Sequence, residues 1–327
     1  MLWKGVLSNM KITVIGCGRW GSFLAWYLHS LHHEVTLYGR VGSRQMQNLL
    51  QTRQNAYLTL PPEIVLSTDL SCADGADILV ISINSQGLRG LISELAARGI
   101  RNKTVVLCMK GLEIGSGKRL SCIAQEGLDP SNRVAVWIGP GHVQEFCAGI
   151  PNCMVIDSEC EETKDLCIRA FSSGLIRFYY GQDLLGNEIG AASKNVIGIA
   201  SGMLDALHRS TLKGAMMSRG TREIARLISA MGGNELSAYG LCHLGDYEAT
   251  VFSPYSHNRT FGENFVRGQP YTELAEGYYT VQALMDLSQQ YQIELPICEA
   301  VYRTLYQNED PACALSSLFE RSLKKEF

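Results

Sequence analysis

The stretch KITVIGCGRWGSFLAWYL, residues 11–28, decides the fold of this 327-residue chain. An apolar, β-branched run at 12–15 stops at Gly16, and residues 23–31 then follow the apolar spacing of a helix. In such a strand, turn and helix, Gly16 permits the turn, Gly18 leaves room for a pyrophosphate and Gly21 lets the helix approach the strand. The N–H groups that begin the helix would face the phosphate. The pattern predicts a dinucleotide site, the alternative being a glycine turn that only caps a helix.

The second predicted strand, residues 34–38, bears on which dinucleotide the loop would bind. A site restricted to NAD usually ends this strand with an acidic residue that binds the ribose 2′-hydroxyl, whereas Gly39 and Arg40 follow here. Arg40 can pair with a 2′-phosphate, although an ordinary surface arginine is the alternative interpretation. The sequence therefore predicts NADP or NAD as cofactor.

Composition narrows the class of protein. The chain is 46% hydrophobic and 19% charged, which is ordinary for a globular protein with room for two domains. A net charge of −3 without a long basic run argues against nucleic-acid binding. The 11 cysteines form no CxxC pair, so we expect reduced thiols and no metal site. Reduced thiols are typical of a cytosolic protein. Since no apolar stretch approaches 18 residues and residues 1–9 lack a signal-peptide core, we expect a short leader and no membrane span.

Strand and helix patterns alternate from residue 11 to about 180, whereas strand signals nearly vanish afterwards. Further strands are predicted at 77–83, 104–109, 134–138, 153–157 and 175–180, with helices such as 88–97 and 118–125. This alternation predicts an α/β, doubly wound sheet of the Rossmann type that binds ligands at its carboxyl edge. Helix patterns at 187–207, 215–231, 237–244, 271–290 and 296–307 predict an all-helical C-terminal domain. We therefore expect a leader at 1–9, a dinucleotide-binding domain at 10–183 and a helical substrate and catalytic domain at 184–327, with the active site in the cleft between the domains.

Two lysines stand where apolar neighbours make a charge costly. Lys194 is alone among alanines and isoleucines in the predicted helix 187–207, and Lys110 directly follows the apolar strand 104–109. Lys194 either extends its amine to solvent or acts in a desolvated place, and Lys110 lies at the strand end where the fold places ligands. Two lysines converging on one cleft would attract an anion and lower each other's pKa, so that one exchanges a proton near neutrality. Beside a bound nicotinamide, this predicts hydride transfer at an alcohol or ketone carbon.

Polar residues further along the chain complete the candidate site. Asp246 and Thr250, four residues apart, would put a carboxylate and a hydroxyl on one helical face. Residues 256–259, Ser-His-Asn-Arg, offer polar donors in a predicted loop. The alternatives are that Asp246 only caps a helix and that Arg259 is a surface charge.

In their order, these motifs resemble the bacterial NAD(P)-dependent glycerol-3-phosphate dehydrogenases, and the similarity covers nearly all of residues 10–327. The matching segments are GCGRWG at 16–21, NAYL at 55–58, KGLE at 110–113, GP at 139–140, KN at 194–195, RG at 219–220, GL at 240–241, LGD at 244–246, Ser256 with Asn258, EG at 276–277, LPI at 295–297, VY at 301–302 and LK at 323–324. The resemblance implies a cytoplasmic homodimer. It also implies the interconversion of dihydroxyacetone phosphate and sn-glycerol 3-phosphate for glycerophospholipid synthesis.

The resemblance also implies roles for individual residues. Lys194 corresponds to the proton acceptor, Lys110 to a lysine that contacts substrate and cofactor, and Asp246 to the carboxylate that orients the reacting groups. The other substrate positions are Gly139, Gly141, Asn195, Thr250, Ser256, His257 and Asn258. The cofactor positions are Gly16, Gly18, Arg19, Trp20, Gly21, Arg40, Lys110, Val143, His257, Leu274 and Glu276.

Three departures from the family pattern concern the groups around the substrate phosphate. The family's Ser-Arg-Asn, whose arginine holds the phosphate, is Ser256-His257-Asn258 here, and a histidine lacks the bidentate fork. Gly-Pro-Ser-Phe-Ala is replaced by Gly-Pro-Gly-His-Val at 139–143, and the Gly-Asp-Asn turn expected between Asp205 and Arg219 is absent. In the first hypothesis, His257 or Arg259 replaces the lost arginine.

Two other functions are compatible with these departures. The same hydride chemistry on a related small ketone or hydroxy compound is the first alternative. A cofactor-binding sensor that has lost catalysis is the second, and the joint presence of Lys110, Lys194, Asp246 and Asn258 argues against it.

Overall fold

The computed structural model describes residues 9–320 and divides into two compact units. The sheet unit comprises the chain up to Met109 together with Leu120–Leu184, and the helical unit comprises Lys110–Arg119 and the chain from Leu185 onward. Most of the predicted leader and the matching pair at 323–324 lie outside the described residues. Between residues 9 and 320, no helix is long and apolar enough to cross a membrane.

One eight-stranded sheet organises the sheet unit, in the order β3-β2-β1-β4-β5-β6-β7-β8. The strands are β1 Lys11–Ile15, β2 Glu34–Tyr38, β3 Val65–Ser67, β4 Ile78–Ile81, β5 Thr104–Leu107, β6 Arg133–Ile138, β7 Asn152–Asp157 and β8 Ile176–Tyr180. All neighbours are parallel except β6 and β7. Every residue of β4 and β5 is buried, which explains their unbroken apolar runs. The predicted doubly wound sheet is confirmed, whereas β3 is too short for a periodic signal.

The helices of the sheet unit position the glycine loop. They are α1 Arg19–Ser30, α2 Arg44–Thr52, α3 Leu88–Ala97, α4 Leu120–Gly127, α5 Val143–Cys147 and α6 Glu161–Phe171. The apolar face of α1 is buried, and its Phe23 ring stacks on Phe146 with centroids 5.2 Å apart. Tyr27 donates a 2.6 Å hydrogen bond to the carbonyl of Phe171. These contacts pack α1 against α5 and against the end of α6. Helix α1 begins just after the end of β1, at the edge where ligands of such sheets bind.

A central apolar helix, α7, organises the helical unit. The helices are α7 Leu184–Ala206, α8 Lys213–Ala230, α9 His257–Val266, α10 Glu276–Tyr291, α11 Pro296–Tyr306 and α12 Pro311–Ser316. Small residues let other segments pack closely on α7: a Cβ atom at Gly202 would lie 1.9 Å from the Arg259 carbonyl oxygen. The predicted all-helical C-terminal region is confirmed.

Two local predictions in the helical unit are wrong. Residues 237–244 form no α-helix, because a short 3₁₀ turn at Glu235–Tyr239 ends at Gly240 in extended backbone. Residues 256–259 are not a loop, because Ser256 accepts a hydrogen bond from the Arg259 amide and caps α9. A serine before a helix is a preferred N-cap, so this second signal was present in the sequence.

The segment Lys110–Arg119 groups with the helical unit although it follows β5 in the chain. Leu112 is fully buried in the helical core. A Cβ atom at Gly117 would lie 3.0 Å from Leu287, and Arg119 forms a 2.7 Å ion pair with Glu188. Lys110 is therefore supported by contacts of the helical unit.

A buried carboxylate caps α11 from outside the helix. Glu223 on α8 is only 2% exposed and accepts hydrogen bonds from the amides of Ile297, at 2.9 Å, and Cys298, at 3.0 Å. Burial raises the pKa of Glu223 to about 7, although the two amide donors oppose the change. The cap is thus an acid whose ionised form is disfavoured by its surroundings.

This cap predicts a pH-dependent stability. Because the folded pKa of Glu223 exceeds its ordinary value of 4.5, the stability it contributes is complete below pH 4.5 and is lost as the pH rises towards 7. Relative to Glu223→Gln, we expect the wild-type free energy of unfolding to fall by about 3 kcal/mol over that window and then to level off. Urea denaturation of both proteins at several pH values measures the difference. A difference that does not vary with pH would contradict the prediction.

Candidate active site

Lys110 and Lys194 meet at one carboxylate oxygen. Their Nζ atoms lie 2.6 Å and 2.7 Å, respectively, from Oδ2 of Asp246. The Asp246 side chain is 1% exposed and that of Lys194 is 9% exposed, whereas that of Lys110 is 22% exposed. The two amines meet at this oxygen, and all three residues belong to the helical unit, although the sequence places Lys110 in the predicted dinucleotide-binding domain. A buried carboxylate shared by two amines leaves an excess of positive charge beside a partly accessible lysine.

Burial brings the pKa of Lys194 closer to neutral pH. Desolvation lowers the pKa of Lys194 to about 8, Asp246 opposes this change and the charge of Lys110 reinforces it. Lys194 also donates a 2.7 Å hydrogen bond to the hydroxyl of Thr250, which in turn donates to the Asp246 carbonyl at 2.7 Å. An amine with this pKa and a fixed orientation can give or take a proton near neutral pH.

Two irregular turns carry the carboxylate and the hydroxyl. Asp246 ends a 3₁₀ turn, Leu244–Asp246, and Thr250 lies in a π-helical turn, Glu248–Phe252. Turns of the π type are rare and frequently occur at functional sites. The sequence predicts Asp246 and Thr250 on one face of an ordinary helix. The two irregular turns could not be predicted, because the spacing of residues does not reveal which carbonyl each backbone amide bonds.

Two asparagines tie the surrounding segments together. Asn195 donates to the carbonyl of Lys110 at 3.1 Å and accepts from Asn258 at 3.0 Å. Asn258 also accepts from the amide of Gly277 at 2.8 Å, next to Glu276 at the start of α10. The structure thus brings Asn195 and Asn258 to the lysine cluster.

Three further residues of the predicted site, Ser256, His257 and Leu274, differ in their contacts and exposure. Ser256 caps α9, and Nδ1 of His257 lies 2.9 Å from the hydroxyl of Tyr271, a partner that the sequence does not suggest. Leu274, which precedes α10, is 42% exposed.

Arg259 does not have the position expected of a replacement for the missing arginine. Its guanidinium forms ion pairs with Asp205 at 2.9 Å and Glu263 at 3.2 Å. Asp205 also binds Lys213 at 2.6 Å and accepts from Ser210 at 2.9 Å, in the region that lacks the Gly-Asp-Asn turn. Because the Arg259 guanidinium is ion-paired with two carboxylates, His257 is the remaining candidate of the two.

The glycine loop of the sheet unit fits a dinucleotide phosphate. Gly16 has φ +117°, and a Cβ there would lie 2.1 Å from the Ser82 carbonyl oxygen; one at Gly21 would lie 1.8 Å from that of Gly16. At Gly18 a Cβ would meet nothing within 4 Å, and no side chain caps α1 there. The fold itself therefore requires Gly16 and Gly21, whereas Gly18 leaves open space at the amide-rich start of a helix.

Other predicted cofactor residues border this loop. Arg19 and Trp20 are the first two residues of α1, and Arg40 is exposed just beyond β2, with no carboxylate at the end of that strand. The Val143 side chain lies in the hydrophobic core, so any ligand contact by Val143 uses its backbone.

A second glycine turn follows β6. Gly139 has φ +131° and Gly141 has φ +146°, and a Cβ at Gly141 would lie 2.4 Å from the Phe146 ring. A serine at this position would clash with that ring, which accounts for glycine where the family pattern has serine.

The contrast between Gly18 and Gly16 gives a testable pair. Gly18→Ala is expected to keep the wild-type melting temperature while weakening NADH and NADPH binding at least about tenfold, since the methyl group occupies the space that a phosphate needs. Gly16→Ala, the matched control, is expected to lower the melting temperature through its clash. Nucleotide fluorescence titration and thermal denaturation measure the two effects. Unchanged nucleotide affinity in a folded Gly18→Ala protein would contradict the assignment.

Comparisons with known proteins match this chain to one protein family. The model for the NAD-dependent glycerol-3-phosphate dehydrogenase N-terminus matches residues 11–164, and that for the C-terminus matches residues 183–316. The chain is 36% identical to a glycerol-3-phosphate dehydrogenase [NAD(P)+] of Desulfitobacterium hafniense over 97% of this chain and 93% of that one. With the same-named protein of Prosthecochloris aestuarii the identity is 34%, over 97% of this chain and 100% of the relative.

Solved structures give the same result. The crystal structure of glycerol-3-phosphate dehydrogenase from Coxiella burnetii superposes with a TM-score of 0.89 at 26% identity, covering 96% of this chain and 99% of that one. The chain belongs to the NAD-dependent glycerol-3-phosphate dehydrogenase family, as its motifs predict.

Proposed function

We propose that this protein interconverts dihydroxyacetone phosphate and sn-glycerol 3-phosphate by hydride transfer, supplying glycerol phosphate for glycerophospholipid synthesis in the cytoplasm. The shared contact of Lys110 and Lys194 with Oδ2 of Asp246 is the observation that carries the proposal. When bound, NAD(P)H supplies the hydride and NAD(P)+ receives it. All other steps belong to residues of this chain.

Lys194 is the acid and base of the proposed reaction. In reduction, its ammonium gives a proton to the substrate oxygen while the carbonyl carbon gains the hydride. In oxidation, neutral Lys194 takes the hydroxyl proton while that carbon loses the hydride. Asp246 and Thr250 hold the amine in place, and the more exposed Lys110 stabilises negative charge on the substrate.

The cofactor pyrophosphate is proposed to lie at the glycine loop, with Arg40 beside the ribose. Arg40 is exposed and no carboxylate ends β2, so NADPH and NADH are both accepted in this proposal. Replacing Arg40 with serine is the direct test, because only the NADPH affinity should fall.

The substrate phosphate is proposed to bind near His257 and Tyr271. The 2.9 Å contact between the imidazole and the tyrosine hydroxyl offers two polar groups, next to Asn258 of the lysine cluster. The same observation favours a second candidate substrate, a related small ketone with a different anionic group or none, because a histidine has no bidentate fork.

The decisive experiment follows the nicotinamide absorbance with purified protein and a panel of three- and four-carbon ketones, each with and without phosphate. The proposal expects dihydroxyacetone phosphate to be reduced best and Lys194→Ala to lower kcat about 10³-fold. An unphosphorylated ketone reduced best would favour the second candidate. Cofactor binding without turnover on any ketone would favour a sensor.

We also propose that the protein is a homodimer, the assembly that the motif resemblance implies. Sedimentation equilibrium measures the mass directly, and a monomer at micromolar concentration would refute this assembly.

A further inference from the structure

Two fully buried residues flank Asp246 in the chain and bond each other. Nδ1 of His243 lies 2.8 Å from the carbonyl oxygen of Gly190, and its Nε2 lies 2.7 Å from the hydroxyl of Tyr247. Because a carbonyl only accepts, Nδ1 carries the hydrogen of the neutral ring, and Nε2 accepts from Tyr247. Both side chains are 0% exposed.

These hydrogen bonds join the turn that carries Asp246 to the helix that carries Lys194. His243 precedes Asp246 by three residues and Tyr247 follows it, while Gly190 lies one helical turn before Lys194 on α7. A Cβ atom at Gly190 would lie 2.9 Å from that of His243, so this approach depends on the glycine. The His243–Tyr247 pair therefore fixes the distance between the two elements.

We propose that His243 and Tyr247 are positioning residues that hold the Asp246 carboxylate between Lys110 and Lys194. Because both are fully buried, they are assigned no contact with the substrate, and their kinetic role rests on the proposed function. They act through Asp246, whose oxygen must stay within hydrogen-bond distance of both amines.

The charges around the pair agree with this role. Burial lowers the pKa of His243 to about 4, so the ring stays neutral and adds no third positive charge beside the lysines. Lys194 and Asp246 are the charged groups facing His243. Glu223, the Cys298 thiol and the Thr221 hydroxyl face Tyr247, whose pKa burial raises.

The test is Tyr247→Phe, with Tyr27→Phe as matched control. Tyr27 is also a fully buried tyrosine with a hydrogen-bonded hydroxyl, but it belongs to the sheet unit. The protein is labelled with ¹³C at lysine Cε, and the Lys194 resonance, assigned by its loss in Lys194→Arg, is titrated against pH. Because Asp246 raises the pKa of Lys194, a loosened carboxylate should lower that pKa by at least about half a pH unit. We expect kcat to fall about tenfold with an unchanged KM for the nucleotide.

Each outcome decides the proposal. A Lys194 pKa that falls in Tyr247→Phe but not in Tyr27→Phe supports the positioning role. An unchanged Lys194 pKa in Tyr247→Phe overturns it, even if both variants lose the same amount of melting temperature. Should Tyr247→Phe not fold, His243→Asn is held to the same criterion, because it keeps a donor for Gly190 but has no atom at the position of Nε2, which accepts from Tyr247. The titration needs no substrate, so wild-type protein without turnover would refute the proposed function and leave this inference to be decided by the Lys194 pKa.

Discussion

Lys194→Ala is expected to lower kcat about 10³-fold in both directions while leaving nucleotide affinity unchanged. The amine is the proposed proton donor and acceptor, and the nucleotide affinity is attributed to the glycine loop of the sheet unit. Stopped-flow absorbance and nucleotide fluorescence measure the two quantities. Lys213→Met is the matched control, because Lys213 is also a buried, ion-paired lysine of the helical unit but binds Asp205. A kcat within tenfold of wild type would remove Lys194 from the chemistry.

The pH profile gives the same residue a second signature. With the pKa of Lys194 at about 8, reduction needs the ammonium and should lose kcat/KM as the pH rises through 8. Oxidation needs the neutral amine and should gain kcat/KM across the same range. Lys194→Arg, which cannot release its proton in this range, should lack both transitions. Profiles that rise and fall together in the two directions would contradict the assignment.

Asp246→Asn is expected to be the second most damaging change, with kcat lowered at least about 10²-fold. The substitution keeps the shape of the side chain but removes the charge that two amines share. Desolvation and the charge of Lys110 then lower the pKa of Lys194 without the opposing effect of the Asp246 carboxylate. The pKa should therefore fall well below 8, so that little of the ammonium form remains at neutral pH. The substitution should therefore affect the rate more than the stability, because the buried amine of Lys194 loses its proton and leaves no unpaired buried charge.

The measurement for Asp246→Asn is kcat for ketone reduction from pH 5.5 to 9, where the activity that remains should shift to lower pH. Asp205→Asn is the matched control, since that carboxylate also binds two cationic side chains, Lys213 and Arg259, of the helical unit. An unshifted profile in Asp246→Asn with normal kcat would contradict the role of the shared oxygen.

Much of the fold and part of the site could be predicted, because the signals were local. The glycine spacing at 16–21 and the lone lysines at 110 and 194 are readable from neighbouring residues, and the predicted family, enzyme class and NAD or NADP cofactor are confirmed by the family matches. The roles of the individual site residues stay predictions.

What could not be predicted depends either on the local hydrogen-bond register or on contacts distant in sequence. The π turn that holds Thr250 is defined by hydrogen-bond register, and the link from His243 to Gly190 spans 53 residues. The ion pair between Arg259 and Asp205 likewise forms only because α7 and α9 pack together, which the sequence does not reveal.

The grouping of Lys110–Arg119 with the helical unit has a consequence for recombination and protein engineering. A chimera cut near residue 184 would exchange Lys194 and Asp246 but keep the native Lys110, separating residues that share one oxygen. A productive exchange must therefore transplant two pieces of sequence, the ten-residue insert and the C-terminal portion, and pieces taken from the same parent should work better than mixed ones.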